Sequence, residues 1–163
     1  MAINDRLQRL FDETRSSYAV LPHPEAFTAQ QVAQQVHVTG RHLAKVVVIR
    51  DEDGKDSMVV IPATHRLDTE LLRRATGRTG FRLEDERDLK RLFPDCEVGA
   101  MPPFGAVYGH RVFVDQLLVG EPELVFNAGT HTEALCMHYG DVAELAKPTV
   151  GTFAKPCIAR RES

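Results

Sequence analysis

Two β-branched runs separated by a short polar turn constrain this chain more than any other feature of its sequence. Residues 43–50 read LAKVVVIR, residues 57–63 read SMVVIPA, and the six residues DEDGKD lie between them. Runs of this length and composition favour strands, and the Asp53-Gly54 pair is a strong signal for a tight turn. The sequence therefore predicts an antiparallel hairpin of two central strands, against which the rest of the chain must pack.

Helical spacing and capping residues predict short helices on both sides of this hairpin. The apolar spacing near the N-terminus indicates an amphipathic helix over residues 4–17, and Thr28 with Gln31 forms a capping-box pattern before a second helix. Asp68 is a typical N-cap, and Gly77 is the residue expected just past the end of the helix that Asp68 begins. Further helices are predicted over residues 83–93 and 139–147.

Three later apolar runs are typical of strands, and the order of elements defines the fold class. These runs cover residues 110–119, 122–129 and 131–138. Short helices, a hairpin, more helices and then more strands do not repeat a βαβ unit. The sequence therefore predicts an α+β fold with a mixed, largely antiparallel sheet.

Size and composition narrow the class of protein. With 163 residues, 43% of them hydrophobic and 26% charged, the chain is predicted to be one soluble globular domain, residues 1–163. No apolar stretch approaches the roughly 20 residues of a membrane-spanning helix, and the N-terminus lacks the apolar run of a signal peptide. Three widely spaced cysteines suit a reducing compartment, so we expect a cytoplasmic protein without membrane contact.

The balance of charge limits how the chain could bind nucleic acid. A net charge of −3 argues against a protein that coats nucleic acid through many phosphate contacts. Basic residues are nevertheless dense between Arg41 and Arg91, with acidic residues mixed among them. A basic face forms only if the fold separates the two signs, and otherwise these charges belong to solvated helices.

Lys45 is the charged residue in the middle of an otherwise apolar strand face. The period of a strand places it with Leu43, Val47 and Ile49. Because an unpaired buried ammonium group is costly, Lys45 either extends to water from the margin of the sheet or stands in a pocket that binds an anion. A phosphate or a developing oxyanion is the kind of ligand that a fixed lysine stabilises.

Two glycine-containing loops are the other candidates for a ligand site. Residues 99–105 read GAMPPFG, and the backbone amides at the glycine ends of such a stiff loop can bind a carbonyl or hydroxyl group. Residues 127–131 read NAGTH, where Gly129 permits close approach of a ligand and His131 follows the end of a strand. Each loop is also consistent with a plain connection, and His131 with an ordinary surface residue.

A metal centre and a cysteine nucleophile are less well supported. His131, Cys136 and His138 are possible metal ligands, yet the sequence contains no HExxH motif and no paired CxxC spacing. Cys96 lies beside two acidic residues, which raise the pKa of a thiol and disfavour a nucleophile. The sequence therefore predicts no metal and no cofactor.

Taken in this order, the motifs resemble the YbaK/ProX family of aminoacyl-tRNA deacylases, which also occurs as the editing domain inserted in many bacterial prolyl-tRNA synthetases. The resemblance runs from about residue 21 to about residue 145. It rests on HPEAFTAQQVAQQ, the strand lysine Lys45, PATHRLDTELLRRATG, VGAMPPFG, VFVD, NAG and GDVAEL.

The resemblance implies a fold, a reaction and a set of site residues. The fold is a mixed, largely antiparallel, barrel-like sheet with flanking short helices. The reaction is trans-editing, in which mischarged aminoacyl-tRNA is hydrolysed at its 3′ acceptor end, with tRNA(Pro) carrying alanine or cysteine as the expected substrate and a synthetase as an optional partner. Lys45 is the implied catalytic residue, orienting the terminal nucleotide or its carbonyl. The implied substrate-binding residues are Gly99, Pro103, Phe104, Gly105, Gly129 and His131.

Three positions depart from the family pattern and leave the specificity open. Val46 replaces a frequent threonine or serine, Ala100 replaces a second glycine, and Pro102 replaces a frequent serine. The alternative to the enzyme is a catalytically silent member of the same fold that binds transfer RNA or a synthetase. Release of labelled amino acid from mischarged tRNA distinguishes the two.

Overall fold

The computed structural model of the chain describes residues 5–40 and 42–157, without the side chain of Gln30. Residue 4, where the first predicted helix begins, and Arg41 of the basic segment lie outside the described residues. No helix in the described part of the chain is long and apolar enough to cross a membrane. The helices are α1 (Asp5–Thr14), α2 (Ala29–Gln35), α3 (Thr69–Thr76), α4 (Glu86–Leu92), α5 (Gln116–Val119) and α6 (Tyr139–Ala146), with a 3-10 turn at Gly105–Tyr108. The strands are β1 (Ala19–Pro22), β2 (Ala44–Arg50), β3 (Asp56–Pro62), β4 (His65–Leu67), β5 (Arg82–Leu83), β6 (Arg111–Asp115), β7 (Glu123–Asn127), β8 (Glu133–His138), β9 (Thr149–Gly151) and β10 (Ala154–Pro156).

The predicted hairpin forms the middle of a five-stranded sheet. β2 and β3 pair antiparallel from Ala44 opposite Pro62 to Arg50 opposite Asp56. The strand order is β5-β2-β3-β6-β9, with β6 parallel to β3 and β9 parallel to β6. β1, β8 and β7 form a three-stranded antiparallel sheet, and β4 pairs with β10. The predicted α+β fold with a mixed, largely antiparallel sheet is confirmed, and no closed barrel is found among the described strands.

The hairpin divides the buried apolar residues between its two faces. Ala44 and Val48 of β2 pack in a first cluster with α1, β7 and β8, whereas Ile49 packs in a separate cluster with Leu72 of α3. A further cluster, around Leu43, lies against α2, β7 and β8. The alternation of a strand therefore supplies opposite faces to different parts of the core.

Capping residues mark two of the helices where the sequence predicted them. The Thr28 side chain accepts a hydrogen bond from the Gln31 backbone N–H, and the Gln31 side chain accepts one from the Thr28 backbone, which completes the capping box of α2. Asp68 accepts from the first-turn amides of α3, and Gly77 ends that helix at φ +72°. These predictions succeeded because a cap depends on neighbours three or four residues away.

Two predicted elements differ in the structure, because an apolar run of this length fits a strand or a buried helical turn equally well. The run over 110–119 predicts one strand, but the strand ends at Asp115 and residues 116–119 form α5. The Asp115 carboxylate accepts a hydrogen bond from the Leu117 N–H at 2.9 Å and so begins the helical turn. The helix predicted over 83–93 begins only at Glu86, because Arg82 and Leu83 pair with β2 as β5.

A buried carboxyl group lies beside the hairpin in a cluster of charges. The Arg50 Nε–H lies 3.0 Å from the Glu84 Oε1 atom and 3.2 Å from the Asp56 Oδ1 atom. The Glu84 side chain is only 1% exposed. Burial raises the pKa of Glu84 to about 8, and the neighbouring Asp56 and Asp88 carboxylates add to the rise. The Arg50 guanidinium opposes this rise, and the pKa of Glu84 remains well above that of an exposed glutamate.

The pKa of Glu84 predicts a falling stability between mildly acidic and mildly basic pH. The folded protein holds this proton more tightly than the unfolded chain, so the stabilisation is complete below the ordinary glutamate pKa and is lost as the pH rises toward about 8. Glu84→Gln, which mimics the protonated acid, should flatten this part of the curve. Urea unfolding at pH 5 to 8.5 measures it, with Glu86→Gln on the exposed surface of α4 as the control. An unchanged slope in Glu84→Gln would contradict the assignment.

Candidate functional site

The five-stranded and three-stranded sheets touch at a parallel backbone bridge. The bridge joins Leu43 to Val125, and the Val125 N–H donates to the His42 carbonyl at 3.0 Å. Both side chains belong to the same apolar cluster. Beyond the bridge the two strands separate. β7 continues beside β8. The edge of β2 that forms the bridge is next paired at Ile49, where β5 lies beside it. An opening between the two sheets therefore begins just past the bridge.

Lys45 and Asn127 flank the point where this opening begins. Each lies two residues beyond the bridge, on strands that run in the same direction. Because side chains alternate along a strand, both project on the face that carries Leu43 and Val125. Lys45 is conspicuous in the sequence, whereas Asn127 is there only the first residue of the NAGTH loop and carries no predicted role.

Neither polar group is satisfied within the described structure. Lys45 is half-buried, and no described residue forms an ion pair or a hydrogen bond with its ammonium group. The Oδ1 atom of Asn127 is buried and accepts no hydrogen bond from the described residues. Buried polar groups are normally hydrogen-bonded, and leaving one unsatisfied costs free energy. A ligand carrying an anion and a donor group would satisfy both.

The two glycine-containing loops, residues 99–105 (the first loop) and residues 127–131 (the second loop), are joined by backbone hydrogen bonds. The Glu97 N–H donates to the Gly129 carbonyl at 2.8 Å, and the Gly129 N–H donates to the Ala100 carbonyl at 2.9 Å. Gly129 has φ +95° and Gly99 has φ +86°, which is backbone that residues with a side chain rarely adopt. The wall formed by the two loops is therefore made largely of main chain.

Pro103, Phe104 and Gly105 lie under the surface of the first loop. Phe104 is fully buried, and its ring packs edge-on against the rings of Phe11 and Phe126 at centroid distances of 5.7 and 5.5 Å. A β-carbon on Gly105 would lie 3.1 Å from the His110 carbonyl oxygen. These residues anchor the loop in the core, and their predicted part in substrate binding would act through the loop backbone.

His131 is a fixed part of the second loop rather than a free surface residue. Its side chain is only 9% exposed. The Nε2 atom lies 2.7 Å from the Val98 carbonyl, which can only accept, so this nitrogen carries the proton and donates. The His131 backbone N–H donates to the Glu97 Oε2 atom at 3.1 Å. The ring therefore holds the second loop against the first.

A third segment, residues 23–27, lies against the second loop. The His23 N–H donates to the Thr132 carbonyl at 2.8 Å, and the Ala26 N–H donates to the His131 carbonyl at 3.1 Å. The Nδ1 atom of His23 lies 2.8 Å from the Pro24 carbonyl, and its buried Nε2 atom contacts no described partner. In the sequence this segment belongs to the HPEAFT motif, for which no ligand-binding residue was predicted.

The departures from the family pattern do not all border the site. Val46 points to the opposite face of β2 from Lys45, where it packs against the first core cluster. Ala100 and Pro102 are buried within the first loop. Ala100 uses its carbonyl to bind Gly129, a contact that any residue at this position could make. The difference at residue 46 therefore bears on packing rather than on the opening.

The other candidate chemistries lack a suitable arrangement in the described residues. Burial raises the pKa of the Cys96 thiol to about 11, and the Asp95 carboxylate adds to the rise, so a thiolate is disfavoured. Three or more His, Cys, Asp or Glu side chains that could hold a metal ion do not come together in residues 5–40 and 42–157. Several arginines of the basic segment form ion pairs with nearby acids: Arg50, Arg73, Arg74, Arg78 and Arg91.

Comparisons with known proteins identify structures that share this fold. No curated protein sequence matches the chain. A proposed trans-editing enzyme for prolyl tRNA synthetase has a TM-score of 0.80 at 22% identity, over 94% of this chain and 99% of that one. The hypothetical protein APE2540 has a TM-score of 0.84 at 18% identity, over 93% of this chain and 100% of that one. A proposed signal transduction protein from Marinobacter aquaeolei VT8 has a TM-score of 0.72 at 18% identity, over 94% of this chain but only 31% of that one.

These structural similarities show a shared fold, and the sequence itself shows the family. Residues 23–145 match the aminoacyl-tRNA editing domain. This range contains Lys45, both loops and the segment that follows β1. Because the match covers most of the chain, the protein belongs to the aminoacyl-tRNA editing domain family, as the YbaK/ProX resemblance predicted.

Proposed function

We propose that this chain is a trans-editing hydrolase that deacylates mischarged aminoacyl-tRNA, with tRNA(Pro) carrying alanine or cysteine as its substrate. One observation carries the proposal. In a chain of the editing family, Lys45 and Asn127 each lie two residues past the bridge between the sheets, and neither the Lys45 ammonium group nor the Asn127 amide oxygen has a partner among the described residues. These are groups that an aminoacyl ester on a terminal ribose can satisfy.

The reaction requires stabilisation of charge more than an enzyme nucleophile. Water adds to the ester carbonyl, negative charge develops on the carbonyl oxygen, and the bond to the ribose oxygen breaks to release the amino acid and the tRNA hydroxyl. A preorganised cation near that oxygen stabilises the transition state more than the ground state. Lys45 supplies this charge, and Asn127 accepts a hydrogen bond from the α-amino group or a ribose hydroxyl of the substrate.

The clamped loops provide a rigid wall for a small amino acid. The hydrogen bonds between Gly129 and residues 97–100 fix the distance between the two loops. Burying one methylene more or less in such a pocket changes binding by only about 1–3 kcal/mol. We expect the wall to favour small side chains such as those of alanine and cysteine, and a contact to the tRNA to supply the rest of the selectivity.

The proposal is tested with a panel of mischarged transfer RNAs. Purified protein should release labelled alanine or cysteine from tRNA(Pro) faster than it releases proline, in single-turnover assays. The assay is repeated with prolyl-tRNA synthetase added, to see whether a partner is needed. Tight binding of the same tRNA without release of any amino acid would show instead the catalytically silent alternative.

We also propose that residues 1–163 act as one editing domain.

Deacylation is expected to survive both metal chelation and thiol alkylation. Cys96 is held as a thiol by its raised pKa, and the described residues contain no metal-ligand cluster. Alkylation should modify the exposed Cys157 without loss of activity. Rates are compared before and after EDTA and N-ethylmaleimide, with mass spectrometry to identify the modified cysteine. Loss of activity with EDTA and its recovery with zinc would contradict the proposed mechanism.

A further inference from the structure

Phe27 presents a large aromatic ring to solvent beside the candidate site. Phe27 is 65% exposed, although its ring is one of the largest apolar groups in the chain. The ring lies against that of His131, with the two centroids 4.8 Å apart. One side of the ring is therefore supported by the protein, and much of the remainder is open.

An apolar residue just before a helix N-cap usually packs against the first turns of that helix, and Phe27 does not. Phe27 is the residue before the N-cap Thr28, where an apolar side chain commonly packs against the fourth residue of the helix. That residue is Val32, which is 1% exposed in a cluster to which Phe27 does not belong. Local helix packing therefore does not explain the phenylalanine.

The support beneath Phe27 is rigid and belongs to the wall of the site. His131 is held through Nε2 by the Val98 carbonyl, and a β-carbon on Gly99 would lie 3.7 Å from the His131 Cε1 atom. The Phe27 backbone N–H is fixed by the Gln31 side chain at 3.0 Å. An exposed aromatic ring on a fixed support loses little conformational freedom when a flat ligand stacks on it.

We propose that Phe27 is the stacking platform for the 3′-terminal adenine base of the aminoacyl-tRNA. This inference rests on the proposed function. In the substrate the ester and the adenine are carried by one ribose, so the group that binds the base must border the group that binds the ester. The Phe27 ring covers His131, which lies four residues past Asn127 in the same loop. Base stacking on an aromatic side chain is a recurring way to bind single-stranded nucleic acid ends.

Phe27→Ala should weaken use of aminoacyl-tRNA without affecting the chemistry at the ester. Loss of one base stack predicts a decrease in kcat/KM of roughly 5- to 150-fold, expressed mainly as a higher KM. Phe27→Trp should retain activity because a larger ring stacks at least as well. The ethyl ester of the same amino acid, which carries no base, should be hydrolysed equally by wild type and Phe27→Ala. Leu83→Ala is the matched control, since Leu83 is also 65% exposed but lies on β5.

A binding measurement keeps this inference separate from the proposed function. The chain contains no tryptophan, so Phe27→Trp introduces a single fluorophore at the platform. Adenosine monophosphate should quench its emission, and the same nucleotide should not quench Leu83→Trp. Absence of deacylation in wild type would remove the proposed function while quenching at residue 27 still supported base binding. Active wild type with equal kcat/KM for Phe27→Ala, or no quenching, would overturn the platform.

Discussion

Replacing Lys45 with alanine is expected to slow deacylation by roughly 10²-fold or more, the size of effect seen when one preorganised electrostatic group is removed. Lys45 is half-buried, its ammonium group lacks a partner among the described residues, and it lies two residues past the bridge between the sheets, as Asn127 does. Its charge is therefore available to the ester or to the terminal phosphate. The protein should still fold, because alanine leaves no unpaired charge behind. Single-turnover deacylation of mischarged tRNA measures the effect.

Two further variants separate a local requirement from a general loss of charge. Lys45→Arg should also be impaired, since the planar guanidinium is longer and cannot present a compact charge at the same point. Lys55→Ala removes a lysine from the exposed turn of the same hairpin and should leave the rate unchanged. Thermal melting serves as the folding control. A well-folded Lys45→Ala protein with a near-normal rate would mean that the lysine merely extends to water.

Asp115→Ala is expected to lower the free energy of unfolding by about 4.5 kcal/mol, since three backbone amides lose their carboxylate acceptor and each hydrogen bond of this kind contributes about 1.5 kcal/mol. The side chain is fully buried. Its Oδ2 atom accepts from Phe153 and Ala154 at 2.9 Å each, and its Oδ1 atom accepts from Leu117 at 2.9 Å. One carboxylate thus begins α5 and fixes the chain that leads into β10.

Chemical denaturation of Asp115→Ala and Asp115→Asn measures this effect. The asparagine variant keeps one acceptor oxygen and should lose only part of the stability. Asp85→Ala is a matched control, because Asp85 caps α4 through one bond to the Asp88 N–H, and loss of an exposed cap costs about 1 kcal/mol. Similar losses for Asp115→Ala and Asp85→Ala would contradict the anchoring role.

The features predicted correctly from the sequence are those decided by near neighbours. The β2–β3 hairpin depends on the turn at Asp53 and Gly54, and the start of α2 depends on Thr28 and Gln31. In each case the residues that select the structure lie within a few positions of one another. The family resemblance added the wider arrangement, which no local pattern contains.

The features that the sequence did not show depend on distant contacts. β1 is a strand because Ala19–Pro22 pairs with residues 133–136, and β9 because Thr149–Gly151 lies parallel to β6. Short segments of three or four residues carry too little periodicity to be recognised alone. Asn127 belongs to the predicted loop 127–131, but no role was predicted for its side chain, because its placement relative to Lys45 follows from a bridge between residues more than 80 positions apart in the sequence.

The clamp between the loops has a consequence for how specificity can diverge in this family. Main-chain hydrogen bonds from Glu97 and Gly129 hold the wall, so its shape does not depend on which side chains occupy most of the neighbouring positions. The frame can therefore be inherited unchanged while the residues that project from it are exchanged one at a time. An engineer seeking a new amino-acid preference would vary those residues and leave Gly99 and Gly129 in place.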